Sequence, residues 1–218
     1  MVKLPECIHS VVNSRTDRLA PSTQMVLKVA SVLDAEFTVP QLAALYPIRI
    51  PHVLESIGSE LEVLTKLDLV LERDGAKLME SIYHVPQIVQ EVVYYNILFE
   101  QRRELHTSMA SYYVKKHETH GDAPDNCCVS AAKHFYAIVR MDSASHEKIS
   151  DMSLALKALA YIKKVVVLYT NGVQYASLLE LWSSRGLEIA SQLGQEGISY
   201  VEFFSNLTCD VKNRRRYK

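Results

Sequence analysis

Four side chains of metal-ligand type cluster near the middle of the chain: His117 and His120, then Cys127 and Cys128. Imidazole and thiolate are donors that zinc prefers. Adjacent cysteines do not readily face one tetrahedral ion together, and the spacing fits no common zinc finger. The expectation is therefore no metal, and a polar loop leading into a helix with two small apolar thiols. Arg102, Arg103 and His106 have the chemistry to meet a phosphate, but Glu100 and Glu104 interleave with them. A solvated helix face is expected there. No Gly-x-Ser-x-Gly elbow presents a nucleophile. No Gly-x-x-x-x-Gly-Lys-Ser/Thr loop occurs, so the sequence contains no phosphate cradle of that kind. Residue types and spacings give no catalytic site on this chain.

The elements that would position these residues belong to a chain of 218 residues, 48% hydrophobic and 22% charged. That composition is globular, and the length allows one large or two small domains. Lys and Arg number 24 against 25 Asp and Glu, a formal net charge of -1. Bulk charge thus gives no attraction to nucleic acid or an acidic membrane. The cysteines Cys7, Cys127, Cys128 and Cys209 are too few for a disulfide framework and suit a reducing, cytoplasmic compartment. No apolar signal core is readable in the first fifteen residues. The most apolar stretch, Leu154 to Tyr169, is broken by Lys157, Lys163 and Lys164. A membrane span needs about 20 mostly apolar residues, so none is expected.

With 7 Gly and 7 Pro to punctuate it, the chain favours long helices. One helix starts after Pro21-Ser22 and spaces Met25, Val26, Val29, Ala30 and Leu33 along one face. The next has Thr38 as N-cap, Pro40 in its first turn and Gln41 completing a capping box. It should bury Leu42, Leu45 and Tyr46. A third follows Pro51 with Val53, Leu54, Ile57, Leu61 and Leu64 on one stripe. Runs at 69–72 and 77–83 then flank Asp74-Gly75, a dipeptide suited to a tight hairpin turn. After Pro86, Ile88, Val89, Val92, Val93 and Tyr95 form a stripe, followed by Leu105, Met109, Tyr112 and Tyr113.

His117 to Asn126 reads as a linker. Helices are expected near 127–139, 152–169, 173–193 and 198–207, with a frayed end at Arg214–Arg216. The fold class is therefore mainly α: a winged-helix-like domain over 1–116 with one short hairpin, then a helical-hairpin, TPR-like array over 127–218. The expected core of the first domain is Val29, Leu33, Leu42, Leu45, Ile57, Leu61 and Val92.

A winged helix raises the alternative of a DNA-binding transcription regulator. Between Pro51 and Asp68, however, Glu55, Glu60, Glu62 and Asp68 face a single cation, Lys66. Duplex affinity comes from cations that neutralise phosphates. This helix would be repelled, so no DNA partner is expected.

Several segments, in order, resemble the helical and winged-helix region of STAND-type signalling NTPases. Leu4-Pro5 with Arg15-Thr16-Asp17-Arg18-Leu19-Ala20-Pro21 is similar to that family's P…R-x-D-x-L-x-P. Gln24 to Leu33 with Phe37 resembles Q-x-x-L-K-x-A-A-V-L-G-x-x-F. Ser81-Ile82-Tyr83-His84, Gln90-Glu91-Val92-Val93-Tyr94 and Arg102-Arg103-Glu104-Leu105-His106 match the stretch F-x-H-x-x-x-Q-E-x-x-Y and R-R-x-L-H. The pattern covers residues 4–115 and also resembles the C-terminal part of soluble (type 10-like) adenylyl cyclases. Asp34 stands where the family has glycine, and Pro86 interrupts the segment after His84.

The resemblance implies a non-catalytic regulatory and interaction segment of a parent protein that is an adenylyl cyclase or ATPase. It implies no cofactor on this chain and ATP or ADP in the parent. Its partners would be proteins or the parent's upstream domains. In the family the phosphate loop precedes the R-x-D-x-L segment, and here fourteen residues precede Arg15. A fragment lacking the upstream nucleotide-binding and cyclase domains is the expectation. His84 is the site residue the resemblance implies: a winged-helix histidine at the matching position contacts the β-phosphate of ADP and holds the closed state. Apart from the resemblance, His84 reads as a buried or helix-capping histidine at a strand end.

Overall fold

A computed structural model describes residues 6–34, 36–48, 52–73, 81–120, 126–146, 149, 151–170 and 175–216. The chain is mainly helical and forms two compact units, Met1–Leu105 and His106–Lys218. The first contains α1 (Glu6–Thr16), α2 (Pro21–Val32), β1 (Phe37–Thr38), α3 (Val39–Leu45), α4 (Val53–Lys66), β2 (Leu71–Arg73), β3 (Ile82–His84) and α5 (Gln87–Asn96). Helix α6 (Phe99–His120) begins there and continues into the second.

The helix α1 is absent from the expectations above. Its apolar pattern is weak, with Val12 buried but its neighbour Val11 60% exposed. In α2, Val26, Leu27, Val29 and Ala30 are buried, as their helical spacing implies. Thr38 caps α3, and its N–H donates to Gln41 Oε1 at 2.9 Å. Tyr46 lies past the last turn as the C-cap and is half-buried, whereas Leu42 and Leu45 are fully covered.

Helix α4 buries Ile57, Leu61 and Leu64, then stops within two residues. Asp68 turns to φ 53, the Asp68 N–H donates to the Thr65 carbonyl and the Leu69 N–H donates to the Leu64 carbonyl. This pair of bonds is a Schellman stop, closed by the apolar pair Leu64 and Leu69, both buried. It aims the chain directly into β2.

The three strands form one antiparallel sheet in the order β1-β3-β2. Arg73 is paired with Ile82. A tight turn at Asp74-Gly75 would instead pair Arg73 with Ala76, so the hairpin is longer than the dipeptide suggested. Asp74 and Gly75 themselves lie outside the described residues. All seven expected core residues of this unit are buried: Val29, Leu33, Leu42, Leu45, Ile57, Leu61 and Val92. In α5, Val89, Val92 and Val93 face inward, while Ile88 and Tyr95 are 43% and 51% exposed. Those two are seven residues apart and share one outward face, which narrows the stripe.

The second unit contains most of α6 with α7 (Asn126–His146), α8 (Met152–Thr170), α9 (Ala176–Gln192) and α10 (Ile198–Arg216). Helix α7 packs on α8, α8 on α9, and α9 on α10. Of the expected linker, 117–120 continue α6 and 121–125 lie outside the described residues. Helix α7 runs to His146, beyond the expected end near Val139. Helix α10 extends through Arg216, so the backbone at the end expected to be frayed, Arg214–Arg216, is helical. Trp182 of α9 and Phe204 of α10 are both buried, and the Phe204 ring packs over Gly186 of α9.

Candidate functional site

Cross-strand neighbours share a sheet face. Phe37 pairs with Tyr83, and their rings stack with centroids 6.1 Å apart inside the core. Glu72, opposite Tyr83, belongs to that inner face. The Tyr83 hydroxyl donates to Glu72 at 3.4 Å. Burial pushes the Tyr83 hydroxyl above its ordinary value, a hydrogen bond with Ser81 opposes this, and the Glu72 charge adds to it. The other face therefore carries Leu71 with His84, and Arg73 with Ile82. His84 ends β3 half-buried on this outward face, and is neither sealed in the core nor a helix cap. Arg73 is ion-paired with Glu36.

Helix α4 turns Glu55, Glu62 and Lys66 outward, with Val63 and Leu67 exposed among them at 41% and 39%. Glu60 is occupied internally, accepting a hydrogen bond from the Thr23 hydroxyl of α2. The exposed face of α4 is acidic and apolar.

The segments singled out by resemblance prove to be clamps between elements. Arg15 of α1 donates to the Leu67 carbonyl at the end of α4, placing a cation at a helix C-terminus. Gln24 Nε2 donates to the Leu19 carbonyl at 3.1 Å. Gln90 of α5 donates through Nε2 to the carbonyls of Ser31 and Leu33, 3.1 and 3.4 Å away, where α2 ends. These are the carbonyls a helix leaves without intrahelical partners. Arg102 lies over the rings of Tyr94 and Tyr95, 5.2 and 5.9 Å from their centroids. A cleft of about 350 Å³ opens among α1, α2 and α5. Asn13, Asp17, Gln24, Lys28 and Asn96 line it over Leu27 and Val93. Asn96 Nδ2 donates to Asn13 Oδ1 at 2.7 Å across that lining.

His106, expected on a solvated face with Arg102 and Arg103, is instead buried. Its Nδ1 is 2.8 Å from Nδ1 of His134 on α7, which is buried as well. Tyr113 stacks on His134 at 5.9 Å with 10° between the rings. Nearer the end of α6, Cys128 Sγ lies 3.6 and 3.5 Å from Nδ1 and Nε2 of His117. Two members of the expected polar group thus meet. Cys127 is half-buried, and the His120 side chain lies outside the described residues. Among the described residues no three His, Cys, Asp or Glu side chains converge as a metal site. The His106–His134 pair has no local sequence signal, because its members are 28 residues apart on different helices.

A polar network also ties α7 to α9. The Tyr136 hydroxyl donates to Glu188 Oε2 at 2.6 Å, and Arg140 bridges to Glu188 Oε1 at 3.1 Å. The Arg185 guanidinium lies 4.8 Å from both the Tyr136 and Trp182 rings. Burial pushes the Tyr136 hydroxyl upward, reinforced by its bond to Glu188. This network is a seam between helices and contains no nucleophile–base pairing. No family model, curated protein or solved structure matches the chain.

Proposed function

We propose that these 218 residues are a non-catalytic regulatory and interaction segment of a STAND-type or adenylyl-cyclase-linked signalling protein. In this reading α2 to β3 form a winged-helix-like unit, and α6 to α10 a helical-hairpin, TPR-like array. The order helix, strand, helix, helix, strand, strand around the Phe37–Tyr83 stack supports the first part. The stepwise packing of α7 to α10 supports the second.

The observation that carries the functional choice is the outward face of α4. A winged or turned helix that reads DNA brings cations to the duplex. Here Glu55, Glu62 and Asp68 are exposed with Lys66, and Val63 and Leu67 stand between them. Such a face suits a protein partner better than a phosphate backbone. The runner-up, a DNA-binding transcription regulator, is disfavoured by that charge. No helix among the described residues is long and apolar enough to cross a membrane. We place the protein in the cytoplasm on its cysteine usage.

The sequence holds no phosphate loop, so ATP or ADP would be held by a nucleotide-binding domain outside these residues. His84 would then act only beside that domain. An electrophoretic mobility shift with duplex DNA, run with an ATP-turnover assay, tests the reading. The expected outcome is no shifted band at physiological salt and turnover equal to a heat-treated control. A salt-sensitive shift would favour the DNA-binding alternative, and turnover above the control would make the chain an enzyme.

A further inference from the structure

Two neutral imidazoles joined through Nδ1 atoms share one hydrogen, with one ring donating and the other accepting. At 2.8 Å the His106–His134 contact is such a bond, and both rings are buried. Adding one proton to the pair leaves the bond intact, because one Nδ1 still accepts while both Nε2 atoms carry hydrogen. Adding a second puts hydrogen on both Nδ1 atoms. The bond is then lost and two positive rings face each other at contact distance.

We propose that His106 and His134 form a proton-sensitive latch on the α6–α7 seam, closed while the pair shares a hydrogen and opened when both rings are fully protonated. The ionisable groups around it come from three helices. Tyr113 of α6 stacks on His134, and Arg102 and Arg103 precede His106 by one turn of the same helix. On α7, Lys133 adjoins His134, and Asp142 is buried two turns further along. Toward the end of α6 come His117 and Glu118, with Cys128 against His117. Tyr161 of α8 packs on Phe135, and both Cys128 and Glu118 contribute to raising its hydroxyl after burial. Burial holds the Tyr161 hydroxyl above its ordinary value, so that ring adds no charge to the seam in the range in which histidine titrates. Arg102, Arg103 and Lys133 oppose added positive charge, and Asp142 and Glu118 favour it. The hydrogen-bond geometry still admits one extra proton where the unfolded chain accepts two.

The sign follows from that count. Below a pH of about 6.5 the unfolded state binds more protons than the folded pair, so stability falls as pH falls. One excluded proton changes the unfolding equilibrium about tenfold per pH unit.

Two measurements on the full chain test the latch. In nitrogen-15 NMR of the imidazoles at neutral pH, one of the two rings is expected as Nδ1–H donor and the other as Nδ1 acceptor. Amides of the α6–α7 seam should lose hydrogen-exchange protection on acidification ahead of those of α9 and α10. Urea unfolding at pH 7.5 and pH 5.5 should show a smaller pH dependence in His106→Gln, whose amide still donates to His134 but takes no proton. Two independently titrating rings, both able to carry Nδ1–H with the seam protected, would overturn the proposal. So would an unchanged pH dependence in His106→Gln, and the NMR result decides should that variant not fold.

Discussion

His84 can offer a phosphate one hydrogen bond from the outward face of the sheet. A charge-assisted bond contributes about 1.5–3 kcal/mol, whereas micromolar affinity requires about 8 kcal/mol. Among the described residues its face carries Leu71, Ile82, Thr38 and an Arg73 already paired with Glu36, so one hydroxyl and no unpaired cation stand beside it. Calorimetric titration of ADP into this chain should therefore show no binding, before or after His84→Ala. Micromolar binding abolished by that change would put the nucleotide site on this unit and reverse the proposal. Arg15 and Gln90 illustrate a different outcome at the same scale. Their chemistry suits ligands, yet each spends its donors on the carbonyls at the end of a neighbouring helix. The sequence made these residues conspicuous, but it could not reveal their partners, which lie 52 and 59 positions away.

Among elements, the contact of α9 with α10 leaves no spare volume at Gly186. A Cβ on Gly186 would stand 2.5 Å from Cε2 and Cζ of Phe204, and that ring is wholly buried. Alanine raises helix propensity by about 1 kcal/mol over glycine. Overpacking a filled core costs about 1–3 kcal/mol, and here the ring has no solvent side to swing toward. Gly186→Ala should consequently destabilise the protein, seen as a lower urea midpoint with an unchanged slope; a higher midpoint would mean that the ring repacks freely. The sequence marks Gly186 only as a helix-weakening residue. Which side chain needs the space is decided by α10, 18 residues further on. The capping box at Thr38 is the opposite case, since both its partners lie within one turn and it was legible from sequence.

Across the whole molecule, Tyr46, Tyr83, Tyr94, Tyr136 and Tyr161 all have hydroxyls raised above their ordinary value, each chiefly by burial. A raised folded-state value means that the native protein holds these protons more tightly than the unfolded chain. Their contribution is fully present below a pH of about 10 and is lost as pH climbs through the folded values. Spectrophotometric titration at alkaline pH should show a group of tyrosines ionising late, together with loss of helical circular dichroism. Removing the Tyr136 hydroxyl with Tyr136→Phe should reduce that alkaline loss. Complete ionisation at the ordinary tyrosine pH with the helices intact would contradict it.

The sequence by itself determined the mainly helical character, the burial of Val29, Leu61 and Val92, and the acidity of α4. Each depends on residues a few positions apart, so helical period and local charge are sufficient to reveal it. Helix α1 escaped because one buried valine makes no period, and the hairpin register escaped because Asp74-Gly75 does not fix where Arg73 must pair. Tertiary structure alone decided that His106 leaves the charged run around it and meets His134. A polar side chain can be buried when a distant partner satisfies its hydrogen bonds, and the partner's position is set by how two helices pack.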